Sequence, residues 1–184
     1  METFTPPKAF VDNPRFHQDR QQALRRIDLS DIDPPIVTLI ERFTTLPQCF
    51  TLQCCYGHFV YLPGQDSHNL ERLPNRVDGP ITYRIAYLAI CLEDSPSGRA
   101  LYQSLSLFPR LDPDYVQFGS ASWFWDQYLN SYVLQVEPHR FKFSDQAVIE
   151  HPEALHIEQI RDRFFIQLNE LIERLLNIHN IPSS

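Results

Sequence analysis

The chain has 184 residues, 43% hydrophobic and 21% charged, which suits one well-buried globular domain spanning 1–184 and leaves two domains cramped. No apolar run approaches the ~20 residues of a membrane-spanning helix, and METFTPPKAFVDNPRF lacks the basic-then-apolar order of a secretory signal, so a cytoplasmic protein with no membrane partner is expected. A net charge of −7 disfavours RNA or DNA binding through a general positive field.

Residues 1–11 read as a flexible arm. Asp12-Asn13-Pro14 then supplies a cap and a first-turn proline, and a polar helix is predicted to about Ile27. It carries Arg15, Arg20, Arg25 and Arg26 against Asp19. Fourteen of the 16 cationic residues are arginines, whose planar fork suits a local carboxylate or phosphate site. Asp33-Pro34 repeats the cap signal, and Ile36, Ile40 and Phe43 recur at helical spacing before Pro47. Phe50, Leu52, Cys54 and Tyr56 alternate with Thr51, Gln53, Cys55 and Gly57, the period of a strand. Phe59 to Leu62 reads as strand again, so Gly57 is a hairpin turn or a bulge.

Residues 63–80 form a long polar loop punctuated by glycine and proline, a surface connection or a lid. Ile81 to Leu92 is a central strand, apolar on both faces toward its end. Within it, Arg84 needs a carboxylate, a ligand or an edge position. Ser95-Pro96 opens another helix. Tyr115 to Phe118 is a short strand, Ser120 to Tyr128 is ambiguous, Ser131 to Glu137 is a strand, and Arg140 to Phe143 alternates like one more. His151-Pro152 starts the longest helix, with Ile157, Ile160, Phe164, Leu168, Leu171, Leu175 and Ile178 as its apolar stripe. That stripe either crosses the sheet or makes a homodimer. The elements lack a regular βαβ beat, which predicts an α+β fold: a mixed sheet, flanking helices and a long C-terminal helix.

The polar knot Gln53 to His58 is where chemistry is expected. A thiol beside an imidazole can act as a nucleophile, so Cys55 and His58 are candidate catalytic residues, with Asp33 as acid, base or hydrogen-bond acceptor. The bland alternatives are a cysteine packed as a small hydrophobe and an aspartate that only caps its helix. Cys49, Cys54, Cys55 and His58 match no usual zinc spacing, and adjacent Cys54 and Cys55 face opposite ways, so no metal is expected unless His68 or His139 is recruited from elsewhere. A non-enzymatic small-molecule, metal or protein-interaction domain is the alternative function. Gln53, Cys54, Gly57 and Arg84 are candidate ligand-binding residues for an anionic or nucleotide-like small molecule. Trp123 and Trp125 are candidates for a wall on which a planar ring stacks, or simply core.

Asp28-Leu29-Ser30, then Ile32-Asp33-Pro34-Pro35-Ile36, a helix, and Phe50-Thr51-Leu52-Gln53-Cys54-Cys55-Tyr56-Gly57-His58 together resemble the tRNA wybutosine-synthesizing protein 3 family. The order of the segments, the helix between them and the Cys-x-Gly core agree. The family's serine pair is replaced by Gln53-Cys54 and its arginine by His58. The resemblance implies an α+β fold and an S-adenosylmethionine-dependent methyl transfer to a modified RNA base. It makes Asp33, Cys55 and Gly57 the retained positions, with His58 in place of the arginine.

Overall fold

The computed structural model describes residues 4–179. The expected α+β class is observed, and its strands pair antiparallel throughout, in two sheets rather than one mixed sheet. The first sheet has the order β1-β4-β6-β5, built from Cys49–Cys55, Ala86–Leu92, Ser131–Val136 and Val116–Ser120. The second has the order β2-β3-β7, from His58–Val60, Ile81–Arg84 and Gln146–Ile149.

Two bent runs join the sheets. β1 passes into β2 through Gly57, and β3 passes into β4 through Ile85. Gly57 has φ +90, and a Cβ there would lie 2.8 Å from the Ala86 Cβ and 3.0 Å from the Tyr83 hydroxyl. Only glycine tolerates both the left-handed backbone and that approach. Tyr83 fills the bend: its hydroxyl donates to the Val136 carbonyl (2.8 Å) and accepts the Ala86 N–H (2.9 Å).

Helix α1 (Phe16–Arg26) is the basic helix expected from sequence. Arg20 explains part of that charge, donating to the carbonyls of Thr44, Leu46 and Cys49 at 2.8, 3.1 and 3.1 Å. It thereby satisfies the open end of helix α2 (Val37–Thr45). Helix α3 (Pro96–Leu105) begins as predicted, with the Ser95 side chain accepting the Gly98 N–H. The ambiguous aromatic segment contributes one helical turn, α4 (Ser122–Trp125). Arg140 to Phe143 is not a strand: His139–Phe141 is a tight turn, closed by the Phe141 N–H on the Pro138 carbonyl, and β7 follows it.

Helix α5 (His151–His179) crosses the molecule and lays its stripe into the core. Ile157, Ile160, Phe164 and Leu168 are each 0% exposed, packed with Ile36, Ile40 and Phe43 and with Leu88 and Leu134. Of the two roles open to the stripe, packing inside the molecule is the one its buried residues perform. The described part of the arm is tied down, with Lys8 N–H on Ser120 Oγ and Val11 exchanging two 2.9 Å bonds with Asn130. The 63–80 connection has no helix or strand, yet it is pinned where Leu73 is buried and its N–H donates to Glu158 (3.0 Å). Among the described residues no helix is long and apolar enough to cross a membrane.

Candidate functional site

Strand alternation sets the first two positions. In β1, Cys54 pairs with Leu88 and shares its face, while Cys55 pairs with Tyr87 and shares the opposite one. Burial pushes the Cys54 thiol up to about 12, with further increments from Cys55 and Asp33, so it stays a neutral thiol. Gly57 then redirects the chain, and its N–H points back to Cys55 Sγ at 3.4 Å. The next residue, His58, is 1% exposed and lies beside that sulfur.

Asp33 arrives from the other side. Its backbone caps the short 3-10 turn Pro34–Ile36, but its side chain makes no cap. It is diverted across the fold, where Oδ2 accepts the Tyr56 N–H at 2.7 Å and sits 3.3 Å from His58 Nε2. One ligand atom each from Asp33, Cys55 and His58 lie within 4.8 Å of one another.

The imidazole is oriented by its other nitrogen. His58 Nδ1 lies 3.3 Å from the Asn69 carbonyl, and a carbonyl only accepts, so Nδ1 carries a proton. Nε2 is turned into the cluster, buried, with the Asp33 carboxylate 3.3 Å away as the counter-charge of the protonated ring. Burial alone would lower the His58 pKa, but the Asp33 carboxylate and the Cys55 sulfur outweigh it and raise it to about 10. Burial likewise opposes the Asp33 carboxylate, yet His58 and the Tyr56 N–H hold it below the ordinary range.

A second layer comes from α5. Arg161, 6% exposed, donates from NH1 to the Gly57 carbonyl at 3.2 Å and from Nε and NH2 to Asp162 at 3.1 and 2.9 Å. Its guanidinium lies 4.2 Å from the centre of the Tyr56 ring, whose hydroxyl donates to the same Asp162 oxygen (2.8 Å). The Cys55–His58 turn is thus clamped from behind. Sequence reasoning misses Arg161 and Asn69. A signal existed for the first: Arg161 falls four residues after Ile157 and seven before Leu168, on the apolar stripe, where a lone arginine needs a buried partner.

The remaining candidates divide. Arg84 pairs in register with His58 and joins the site. Gln53 and Cys54 line a neighbouring hollow of about 360 Å³ with Ile32, Phe124 and Tyr128. Cys49 is fully buried with its thiol on the Phe43 carbonyl, and burial raises it to about 12. Trp123 packs with Phe124 near Ala89 and Val133, whereas Trp125 meets Tyr132 edge-on, so the two rings form no common wall.

No protein-family model matches the sequence, and no curated protein matches it. Among solved structures, the chain is similar to the PH1069 protein from Pyrococcus horikoshii, with 13% identity and a TM-score of 0.49 over 90% of this chain and 96% of that one. A second structure of PH1069, from Pyrococcus horikoshii OT3, gives 12% identity and a TM-score of 0.46 over 95% and 100% of the two chains.

Proposed function

We propose that Asp33, Cys55 and His58 form a mononuclear metal centre of the zinc class, and that the protein uses it to bind and polarise a ligand. The observation that carries this reading is the convergence of three unlike donors, with the imidazole oriented as a metal-bound histidine is. Its Nε2 faces the cluster, where an incoming ion would displace the proton that the raised pKa keeps there beside Asp33, and its Nδ1–H is held by a backbone carbonyl. The separation fits as well. Two bonds of about 2.0–2.1 Å at the tetrahedral angle place nitrogen and oxygen about 3.3–3.4 Å apart, and Asp33 Oδ2 lies 3.3 Å from His58 Nε2.

A sulfur, nitrogen and oxygen set suits zinc better than magnesium or calcium, which favour oxygen alone. Three protein ligands leave a fourth position, the arrangement of centres that bind water or substrate rather than only brace a fold. Asp33 and Cys55 are both partly exposed, so that position is reachable from solvent. The ion would lower the pKa of a bound water or polarise a bound oxygen.

Elemental analysis of protein purified without chelators or a metal column tests this. Near-stoichiometric zinc or iron is expected. An empty sample that also fails to take up added zinc in a calorimetric titration overturns the reading.

A second reading follows the family resemblance. Asp33, Cys55 and Gly57, the positions it retains, meet at one turn, which supports S-adenosylmethionine-dependent methyl transfer on a modified RNA base. Calorimetry with S-adenosylmethionine tests it: binding is expected, and no heat at millimolar cofactor removes it.

A further inference from the structure

The arginine beside the cluster is the feature that the metal reading leaves unused. Arg84 sits in β3 directly opposite His58 in β2, on the same face of that sheet. It is half-buried. Its NH1 reaches the Ser67 carbonyl at 3.2 Å and His68 Nε2 at 3.3 Å, both of them uncharged acceptors when His68 is neutral. Among the described residues its guanidinium has no other hydrogen-bond partner and no carboxylate partner. What sets Arg84 apart is its place directly opposite His58.

One loop links it to the cluster. The His68 ring meets the His58 ring edge-on with centroids 5.4 Å apart. One loop segment therefore supplies the Ser67 carbonyl and the His68 nitrogen to Arg84, and the Asn69 carbonyl to His58. Arg84 and His58 are thus held by the same loop, beside the metal donors.

Charge decides which ligand fits beside Arg84. A divalent ion contributes +2, the Asp33 carboxylate and a coordinated Cys55 thiolate contribute −1 each, and the imidazole contributes none. The loaded centre is neutral, and Arg84 leaves one uncompensated positive charge. A cationic ligand is repelled and a neutral one leaves the arginine unpaired. An oxyanion satisfies both: one oxygen enters the open metal position while another meets the guanidinium, whose NH1 alone is engaged by the loop.

We infer that the fourth position of the centre takes an anionic oxygen ligand, a carboxylate or a phosphate group, with Arg84 as its charge partner. This rests on the metal reading above and adds the chemical class of the ligand. Arg84 acts on the bound anion and makes no bond to the ion.

Cobalt(II) substitution separates the two claims. The protein is loaded with cobalt, the visible thiolate-to-metal and ligand-field bands are recorded, and inorganic phosphate and acetate are titrated in separate arms. Saturable shifts of the ligand-field bands are expected; saturation by phosphate alone identifies a phosphate ligand, and by acetate alone a carboxylate. Arg84→Gln should keep the cobalt stoichiometry and the thiolate band while weakening anion binding roughly ten- to a hundredfold, with Arg84→Lys recovering part of it. Bands that neither anion moves at tens of millimolar, or an Arg84→Gln protein that binds as the parent does, overturn the inference and leave the metal centre standing. A chain that takes up no cobalt overturns both.

Discussion

Two polar clusters lie on one face of the first sheet and meet the problem of burial in opposite ways. The strand register lines up Cys55, Tyr87, Gln135 and Gln117 across all four strands. At one end stands the Asp33, Cys55 and His58 cluster. Toward the other stands Glu137, 0% exposed, with the Gln135 amide donating to its carboxyl and the Gln117 amide donating to its main-chain carbonyl (3.3 Å). Burial pushes the Glu137 carboxyl up to about 8, with only the Gln135 amide opposing, whereas Asp33 is held down by His58 and a backbone N–H. A buried carboxyl stays an anion where donors and an opposite charge face it, and takes a proton where they do not. The first is fit to be a ligand; the second is part of the scaffold.

Exchanging the roles of the two clusters should give the largest effects. Removing a donor with His58→Ala or Cys55→Ala is expected to weaken zinc binding at least about a hundredfold, more than the loss of an outer-layer partner does. Glu137→Ala should leave zinc affinity unchanged while costing about 1–3 kcal/mol in denaturant unfolding, because the Gln135 amide loses its acceptor in the interior. Zinc titration and urea melts on both variants check the pair. Equal zinc affinity in the parent and His58→Ala proteins would abolish the distinction.

Arg161 sharpens it, because this residue belongs to the fold by burial and to the site by its bonds. Arg161→Met releases the Gly57 carbonyl, and a ten- to hundredfold loss of zinc affinity of the second-layer kind is expected. A calorimetric titration at a temperature where the variant remains folded by circular dichroism checks it. An unchanged zinc affinity would assign the arginine to the core alone.

Gly57→Ala is the smaller perturbation of the same turn. With φ +90 and the Ala86 Cβ 2.8 Å from the new atom, it should cost about 1–3 kcal/mol. Urea unfolding measures the cost, and a change under half a kilocalorie would show that the bend relaxes freely.

Local signals made much of this site legible. Proline after Asp33, two-residue alternation through Cys54 and Cys55, and a glycine before His58 were enough to mark the turn. They did not reveal that Asp33 leaves its own helix for the Tyr56 N–H, because helix-capping rules weigh neighbours in sequence and this contact spans 23 residues. The same holds for Arg161, 104 residues from the carbonyl it binds. A count of metal donors confined to the Cys49–His58 stretch omits the carboxylate and includes Cys49 and Cys54, which the core and the opposite sheet face have taken. The tryptophans show the converse: a composition that suggests a stacking wall is divided by the sheet between two surroundings.

The last expected effect isolates the second cluster by pH. Glu137 has its pKa raised from an ordinary carboxyl value to about 8 in the folded chain, so the native state binds a proton that the unfolded chain has released above about pH 4.3. Its contribution is complete below that value and declines as pH rises through the folded pKa. Between pH 6 and 8.5 the parent should lose about 2–3 kcal/mol from this group. Glu137→Gln keeps the shape and removes the titration, so its stability should be flatter over the same interval and overtake the parent at the alkaline end. Urea melts at half-unit steps of pH measure both curves. Parallel curves would mean that the carboxyl is charged in the fold, and the contrast with Asp33 would then lie in the partners of the two groups and no longer in their protonation.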